Sequence, residues 1–414
     1  MLKSLVGPSG YPVCVCTGTN SGNIFTLEET SSILPISIGI GPLSEPKDYF
    51  LNWDEMTTYV KSINPAAQSL DRSADHDIVM CLIHGSYKIP RLLAVAHRIW
   101  SKTRISGHSE NLEYFAQRFE FEAKKNYSEM RGVWNMYSAI ELANLILSCA
   151  CGWKAFQNEC VPGTQLIWEH FTSRSLIFSS GNTYIFPFTL IWGTDNQQDQ
   201  ELLNFVNSYV CKAVPNLELN DLFLSYDRLC GAEPRTLGTL FEKLFASGLA
   251  AKYYIYTQAS KKTGSVNLSS LLPFRGGKAV DNLLSQATVD FSQGISLPKQ
   301  GATVLNLPTD NAVILNTEKS TAHHDPILPT SIGPVPVQAK ASFDISNPPV
   351  FQSQLLVDKG LDQEVEALIW LYLGHKNQEV KYPKVVFVSA KEVCNSHEVD
   401  LLEYVKHLKS TTNL

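Results

Sequence analysis

The chain has 414 residues, of which 44% are hydrophobic and 18% charged, and its net charge is −6. That length exceeds one ordinary core and predicts two or three domains, and the composition excludes a disordered chain. The acidic balance excludes an open, general nucleic-acid-binding surface, while leaving room for a local basic cleft.

"YPVCVCTGTNSG" predicts a buried strand from Pro12 to Cys16 that ends in a small, polar turn. "ILPISIGIGPLS" predicts a second strand, and "WDEMTTYVKSI" and "HDIVMCLIHGS" carry helical apolar spacing. In "GSYKIPRLLAVAHRIW" a loop stops at Pro90 and a helix begins, because proline suits a helix start. Leu92, Leu93, Val95, Ala96 and Ile99 then fall on its inner side, with Arg91 in the first turn. The chain opens directly on an apparent strand, with no basic stretch and apolar core of a signal peptide, and an N-terminal part is expected to be missing.

From Tyr127 to Trp153 the pattern is helical. "MYSAIELANLILSCACGW" comes closest to a membrane span, but Glu141 and Asn144 interrupt it, so no membrane association is expected. "SLIFSSGNTYIFPFTLIW" predicts a hairpin turning at Ser180, Gly181 and Asn182, and helices followed by such a hairpin suggest a winged-helix module. "DQELLNFVNSYVCKAV" is helical again. "PRTLGTLFEKLFASGLAAKYYIY" is a strong helix, with Leu240, Leu244 and Leu249 along one side and Phe241 and Phe245 beside them.

Residues 263–321 are rich in Ser, Gly, Pro and Asn, with short strand-like runs "ATVLNL" and "NAVILN", and predict sheet with long loops. "VPVQAK" reads as a short strand ending in charge. A helix over "DQEVEALIWLYLG", a strand over "PKVVFVSA" and a last helix over "EVDLLEYVKHLK" follow. The expected fold class is α/β, in three parts: 1–125, 126–230 and 231–414. The C-terminal part is expected to be a mixed sheet with "VPVQAK" as a central strand.

The nine cysteines are odd in number and include no C-x-x-C pair. A disulfide framework is not expected in a chain this long, and Cys149, Cys151 and Cys160 are too irregularly spaced for a zinc site, so buried reduced thiols in a reducing compartment are the better reading.

Four residues of the C-terminal part suit metal-dependent phosphodiester chemistry. Such chemistry needs hard oxygen ligands for Mg²⁺ or Mn²⁺, which Asp325 and the Gln338 side-chain carbonyl offer. It also needs a cation beside the attacking water and the phosphate, which suits Lys340. Residues two apart on a strand face one side, so Gln338 and Lys340 point together while Ala339 faces the core. Glu242, on the strong helix, is a further carboxylate for the metal. By itself, D-x(n)-Q-x-K also describes a solvated strand end, and Glu242 also suits a solvated helix face. A helix with Glu242, strands, Asp325, the strand with Gln338 and Lys340, a helix and a strand resembles the PD-(D/E)xK nuclease core of a helix, a three-stranded meander, a second helix and a fourth strand.

Near the N-terminus, "VCVCTGTNSG" resembles the sensor-1 strand of AAA/STAND-type NTPases, and "HGSYKIPRLLAVAHRIW" resembles their "G-x-PR" sensor-2 helix. Thr19 and Arg91 would be the nucleotide sensors by that resemblance. No G-x-x-x-x-G-K-[ST] occurs in the chain, however, and no strand ending in Asp-Asp or Asp-Glu precedes the sensor strand, so ATP hydrolysis by this chain alone is not expected.

A truncated NTPase, a winged-helix-like middle and a Q-x-K nuclease core, in that order, resemble the Crinkler and RHS-type effectors of eukaryotic pathogens and symbionts. That resemblance implies a secreted effector that enters a host nucleus and cuts DNA. The competing reading is a catalytically inactive module that binds nucleic acid or a host nuclear protein. Convergence of Glu242, Asp325, Gln338 and Lys340 in one cleft would separate the two.

Overall fold

The structure is a computed structural model of the chain. It describes residues 2–6, 12–16, 76–87, 89, 92, 95, 96, 98, 99, 112–126, 136–174, 176–190, 197–262, 264–298, 310–316, 326–340, 366–373 and 384–411. The fold is mixed α/β. The stretches "WDEMTTYVKSI", "ILPISIGIGPLS" and "ATVLNL" lie outside the described residues.

At the start, β1 (Leu2–Val6) and β2 (Pro12–Cys16) pair antiparallel. Helix α1 (His76–Gly85) covers the run expected to be helical, and Leu92, Val95, Ala96 and Ile99 are buried beyond it, as their spacing predicts. Helix α2 is Leu112–Asn126 and α3 is Ala139–Ala150.

Helix α3 accounts for the most membrane-like stretch of the sequence. Nearly all its residues are buried in the protein. The Glu141 that interrupts the apolar run closes the helix start: the Ser138 amide donates to Glu141 Oε2 at 2.8 Å and the Glu141 amide donates to Ser138 Oγ at 3.4 Å. This reciprocal cap satisfies two amides that a helix start leaves orphaned. Of the helix expected from Tyr127 to Trp153, 127–135 lie outside the described residues, Met136–Ser138 lead into the cap without being helical, and the helix stops at Ala150, where Gly152 at φ 65° takes the left-handed conformation and turns the chain. Among the described residues, no helix is long and apolar enough to cross a membrane.

The expected hairpin is present as β3 (Phe178–Ser180) and β4 (Thr183–Ile185), with Gly181 at φ 62° in its turn. Helices α4 (Gln197–Ala213) and α5 (Tyr226–Cys230) lead to the long α6 (Pro234–Ser260). A proline in the first turn fits α6 because its missing N–H has no helical partner there. Leu240, Phe241, Leu244, Phe245 and Leu249 are buried on it.

The C-terminal part holds β5 (Val266–Asn267), β6 (Arg275–Gly276), α7 (Lys278–Gln286), β7 (Thr288–Val289), β8 (Ile295–Ser296), β9 (Val313–Leu315), β10 (Pro326–Thr330), β11 (Gly333–Lys340), β12 (Leu368–Tyr372), β13 (Val385–Ser389) and α8 (Ser396–Thr411). Seven of these strands form one mixed sheet in the order β6-β13-β12-β11-β10-β9-β8. β9, β10 and β11 are an antiparallel meander, whereas β11, β12 and β13 run parallel. "VPVQAK" is therefore the central strand, as expected.

One element differs from expectation. "DQEVEALIWLYLG" does not form a helix over its apolar half: Leu368–Tyr372 is β12, with all five residues buried. A parallel strand covered on both faces reads as a continuous apolar run, and five such residues match a helical stripe as well as a strand.

Alternation along these strands separates two packed faces. Val337, Ala339, Ile369, Leu371, Val386 and Val388 join the large core that includes the apolar side of α6. Trp370 and Phe387, at the alternate positions, are buried on the other face. Burial of each Val, Ile, Leu or Phe among them contributes about 1.5–3 kcal/mol relative to exposure.

Candidate functional site at the carboxyl end of the parallel strands

Ligands of open α/β sheets commonly gather beyond the carboxyl ends of parallel strands. Here β11, β12 and β13 end together. Lys340 is paired with Tyr372, and Tyr372 with Ser389. Two residues back, Gln338 is paired with Trp370, and Trp370 with Phe387.

Gln338 and Lys340 occupy alternate positions of one strand and so belong to one face, as the sequence predicts. Ala339 between them is buried in the opposite core, also as expected. Gln338 is only 5% exposed, so its amide lies inside the face rather than in open solvent. The Lys340 side chain lies outside the described residues, as do Asp325, Thr19 and Arg91.

Glu242 is half-buried on α6, next to Phe241. That helix contributes its apolar side to the face carrying Val337 and Ala339. Gln338 and Lys340 thus hold alternate positions on β11, and Glu242 lies on α6, whose apolar side joins the core of Val337 and Ala339.

The same end of the sheet gathers charged groups that sequence spacing did not single out. β6 hugs β13 so closely that a Cβ at Gly276 would meet the Val385 carbonyl at 2.9 Å, and this holds Arg275 opposite Phe387. Arg275 donates to Glu392 Oε1 at 3.0 Å across 117 positions of sequence. Glu392 also accepts from the Ser389 amide at 3.2 Å, which closes the turn after β13. Its carbonyl accepts from Lys252 Nζ at 2.6 Å across 140 positions. No local pattern joins residues so far apart, and only the two charge signs could have been noticed in the sequence.

Electrostatics mark this edge. Burial pushes the Tyr372 phenol up, while the Arg275 charge pulls it down and Glu392 pushes it up again. Burial lowers the Lys252 pKa, opposed by the neighbouring Cys151 and Cys394 thiols and by Glu392. Lys391, in the turn, pairs with Asp400 at 2.7 Å and Glu403 at 3.8 Å, and these partners outweigh its burial and raise its pKa. The arrangement sets one nearly buried amide beside a sheet end where Arg275 and Lys391 are each paired with carboxylates.

Among the described residues, no group of three or more His, Cys, Asp or Glu is placed to hold a metal ion. Asp325 lies outside those residues. The described cysteines are free thiols: Cys81, Cys149, Cys151 and Cys394 are buried, Cys211 and Cys230 partly so, and Cys160 is exposed. No family model, no curated protein and no solved structure matches the chain.

Proposed function

We propose that the chain is a metal-dependent nuclease of the PD-(D/E)xK type that cuts DNA at the carboxyl end of β11. One observation carries this reading: a helix, a three-stranded meander and a parallel next strand occur in that order, with Gln338 and Lys340 on one face of the meander's last strand.

The donors fit a hard cation. Mg²⁺ and Mn²⁺ favour oxygen ligands, and the set offered is a carboxylate and an amide oxygen, the latter nearly buried. When bound, the ion supplies Lewis-acid charge at the phosphate. Asp325 brings the negative charge that holds it and Gln338 contributes its side-chain oxygen. The Lys340 ammonium orients the attacking water and offsets charge growing on the phosphate. Water adds to phosphorus, the bond to the leaving oxygen breaks, and that oxygen takes up a proton. Glu242, on α6, would be the additional ligand or would hold a metal-bound water.

The rest of the chain is assigned on resemblance alone. Residues 1–125 are taken as an NTPase remnant with Thr19 and Arg91 as vestigial sensors, and 126–230 as a winged-helix-like region. A secreted effector of Crinkler or RHS type acting in a host nucleus is the biological setting proposed. Without a P-loop to supply backbone amides and a lysine to the phosphates, ATP is not bound with sub-micromolar affinity. Calorimetry with ATP checks this.

A second reading is favoured by the burial of Gln338: a strand end closed over by its own fold, in a catalytically inactive module that binds nucleic acid or a host protein. Plasmid degradation by the purified protein with Mg²⁺ or Mn²⁺, beside Asp325→Ala and Lys340→Ala, separates the two. Metal-dependent cleavage lost in both variants supports the nuclease. No cleavage by the parent chain, or cleavage undiminished in both variants, overturns it.

A further inference from the structure

A cavity of about 250 Å³ opens among α1, α2, α5 and α8, and none of the residues lining it belongs to the sheet. Aromatic rings form its walls in pairs. His84 and Tyr226 stack with centroids 5.7 Å apart and planes within 7°, and Tyr87 and His397 stack at 4.3 Å and 22°. Phe119 lies close by, so close that a Cβ at Gly85 would sit 3.1 Å from its ring.

The polar groups of the lining are unequal in what they offer. Arg228 is already turned onto the chain, donating to the Asn220 carbonyl at 3.1 Å and lying 3.9 Å from Asp221. The Tyr226 hydroxyl donates to Asp77 at 3.2 Å. Glu120 and Asp227 also line the cavity. Burial pushes the Glu120 carboxyl up to about 7, with Lys124 pulling it down and Asp227 pushing it up. A carboxyl in such a place gains more from an N–H donor than one in water does.

We propose that this cavity binds a small planar nitrogen heterocycle, the size of a purine base, stacked against the ring pairs and donating N–H groups to Glu120. Three features set that class. An apolar cavity of about 150 Å³ holds benzene, so this larger one suits a bicyclic ring of about ten non-hydrogen atoms. Stacked aromatic walls favour a flat ligand. A carboxyl oxygen accepts from N–H groups whether or not the group is protonated, which favours a ligand edge carrying N–H groups, and its charge when ionised disfavours an anion. The inference does not rest on the nuclease reading and stands if cleavage fails.

The test is titration of adenine into the full-length chain, followed by saturation-transfer NMR and calorimetry, with indole as a bicyclic comparator that has a single N–H. A ligand of this size should bind adenine with a Kd of about 0.1–1 mM. Indole should bind at least about tenfold more weakly, and Glu120→Gln should weaken adenine by about tenfold. Ser225→Trp should abolish binding by filling the cavity, and Ser225 is a suitable place because its side chain makes no capping hydrogen bond to α5. No saturation by about 10 mM adenine, indole bound as well as adenine, or adenine affinity unchanged in Ser225→Trp would each overturn the proposal. If Ser225→Trp does not fold, Glu120→Gln decides: an unchanged affinity overturns it.

Discussion

At the end of β11 the residues of interest lie two apart on one strand, and around the cavity they come from four helices. Tyr226 reaches Asp77 across 149 positions of sequence, and His84 near one end of the chain packs against His397 near the other. The first cluster is written in a local period, and the second exists only after folding. The chemistry differs in the same sense. The strand end is edged by the surface pair of Arg275 and Glu392, whereas the cavity is walled by rings and includes Glu120 and Asp227 in its lining.

The largest effect that tests this contrast is loss of cleavage. Asp325→Ala should abolish metal-dependent cleavage by removing the charged ligand. Lys340→Ala should leave metal binding intact and slow cleavage by about 10²–10³, as loss of other preorganised charge stabilisers does. Gln338→Glu should hold the metal as well or better, since a carboxylate is the stronger ligand for a hard cation. Metal titration and single-turnover cleavage on the three variants measure these separately. Variants of the cavity, Glu120→Gln first, should leave cleavage unchanged.

What the sequence made legible follows the same division. The strand Pro12–Cys16, the hairpin at Gly181, the long helix from Pro234 and the central strand with Gln338 and Lys340 all rest on short periods or turn chemistry, and all are in the structure. The run "LIWLY" matches a helix as well as a strand because burial on both faces removes the alternation that marks a strand. The helix expected from Tyr127 to Trp153 is bounded by a capping serine, Ser138, and by Gly152, whose positive φ no apolar count registers. Arg275 and Glu392 were missed because a two-residue strand at the sheet edge carries too few residues to show a period. The cavity rings, spread over the helices, looked like ordinary core positions.

A second, smaller effect probes the cavity region through pH. Glu398 stands in the first turn of α8, directly after the cavity residue His397, and is fully buried. Burial raises its carboxyl from the ordinary 4.5 to about 8, with its own amide lowering it and Asp400 raising it. Between those values the unfolded chain has released the proton and the folded chain still holds it. Stability should therefore fall as pH rises from about 4.5 to about 8, by about 1.4 kcal/mol per pH unit within that window, and level off above it. Glu398→Gln should remove this slope and raise the unfolding midpoint at pH 8. Chemical denaturation of both chains across pH 5–8 reads it, and parallel curves would show that Glu398 does not set the slope.

The smallest effect sharpens the contrast at the sheet end. The Arg275 side chain is 63% exposed, and its 3.0 Å pair with Glu392 lies at the surface. Exposed pairs of this kind contribute about 0–1 kcal/mol, since water and salt screen them and two long side chains must be held in place. Arg275→Ala should therefore barely shift the denaturation midpoint. If the sheet end meets a phosphate backbone, the same change should weaken DNA binding uniformly across sequences and reduce the slope of log K against log salt by about one contact. A stability loss well above 1 kcal/mol with unchanged DNA affinity would make Arg275 a strut for β6. A small stability loss with a reduced salt slope would assign it to the anion-facing edge. The cavity should be indifferent to either outcome, because none of its lining residues lies on β6 or β13.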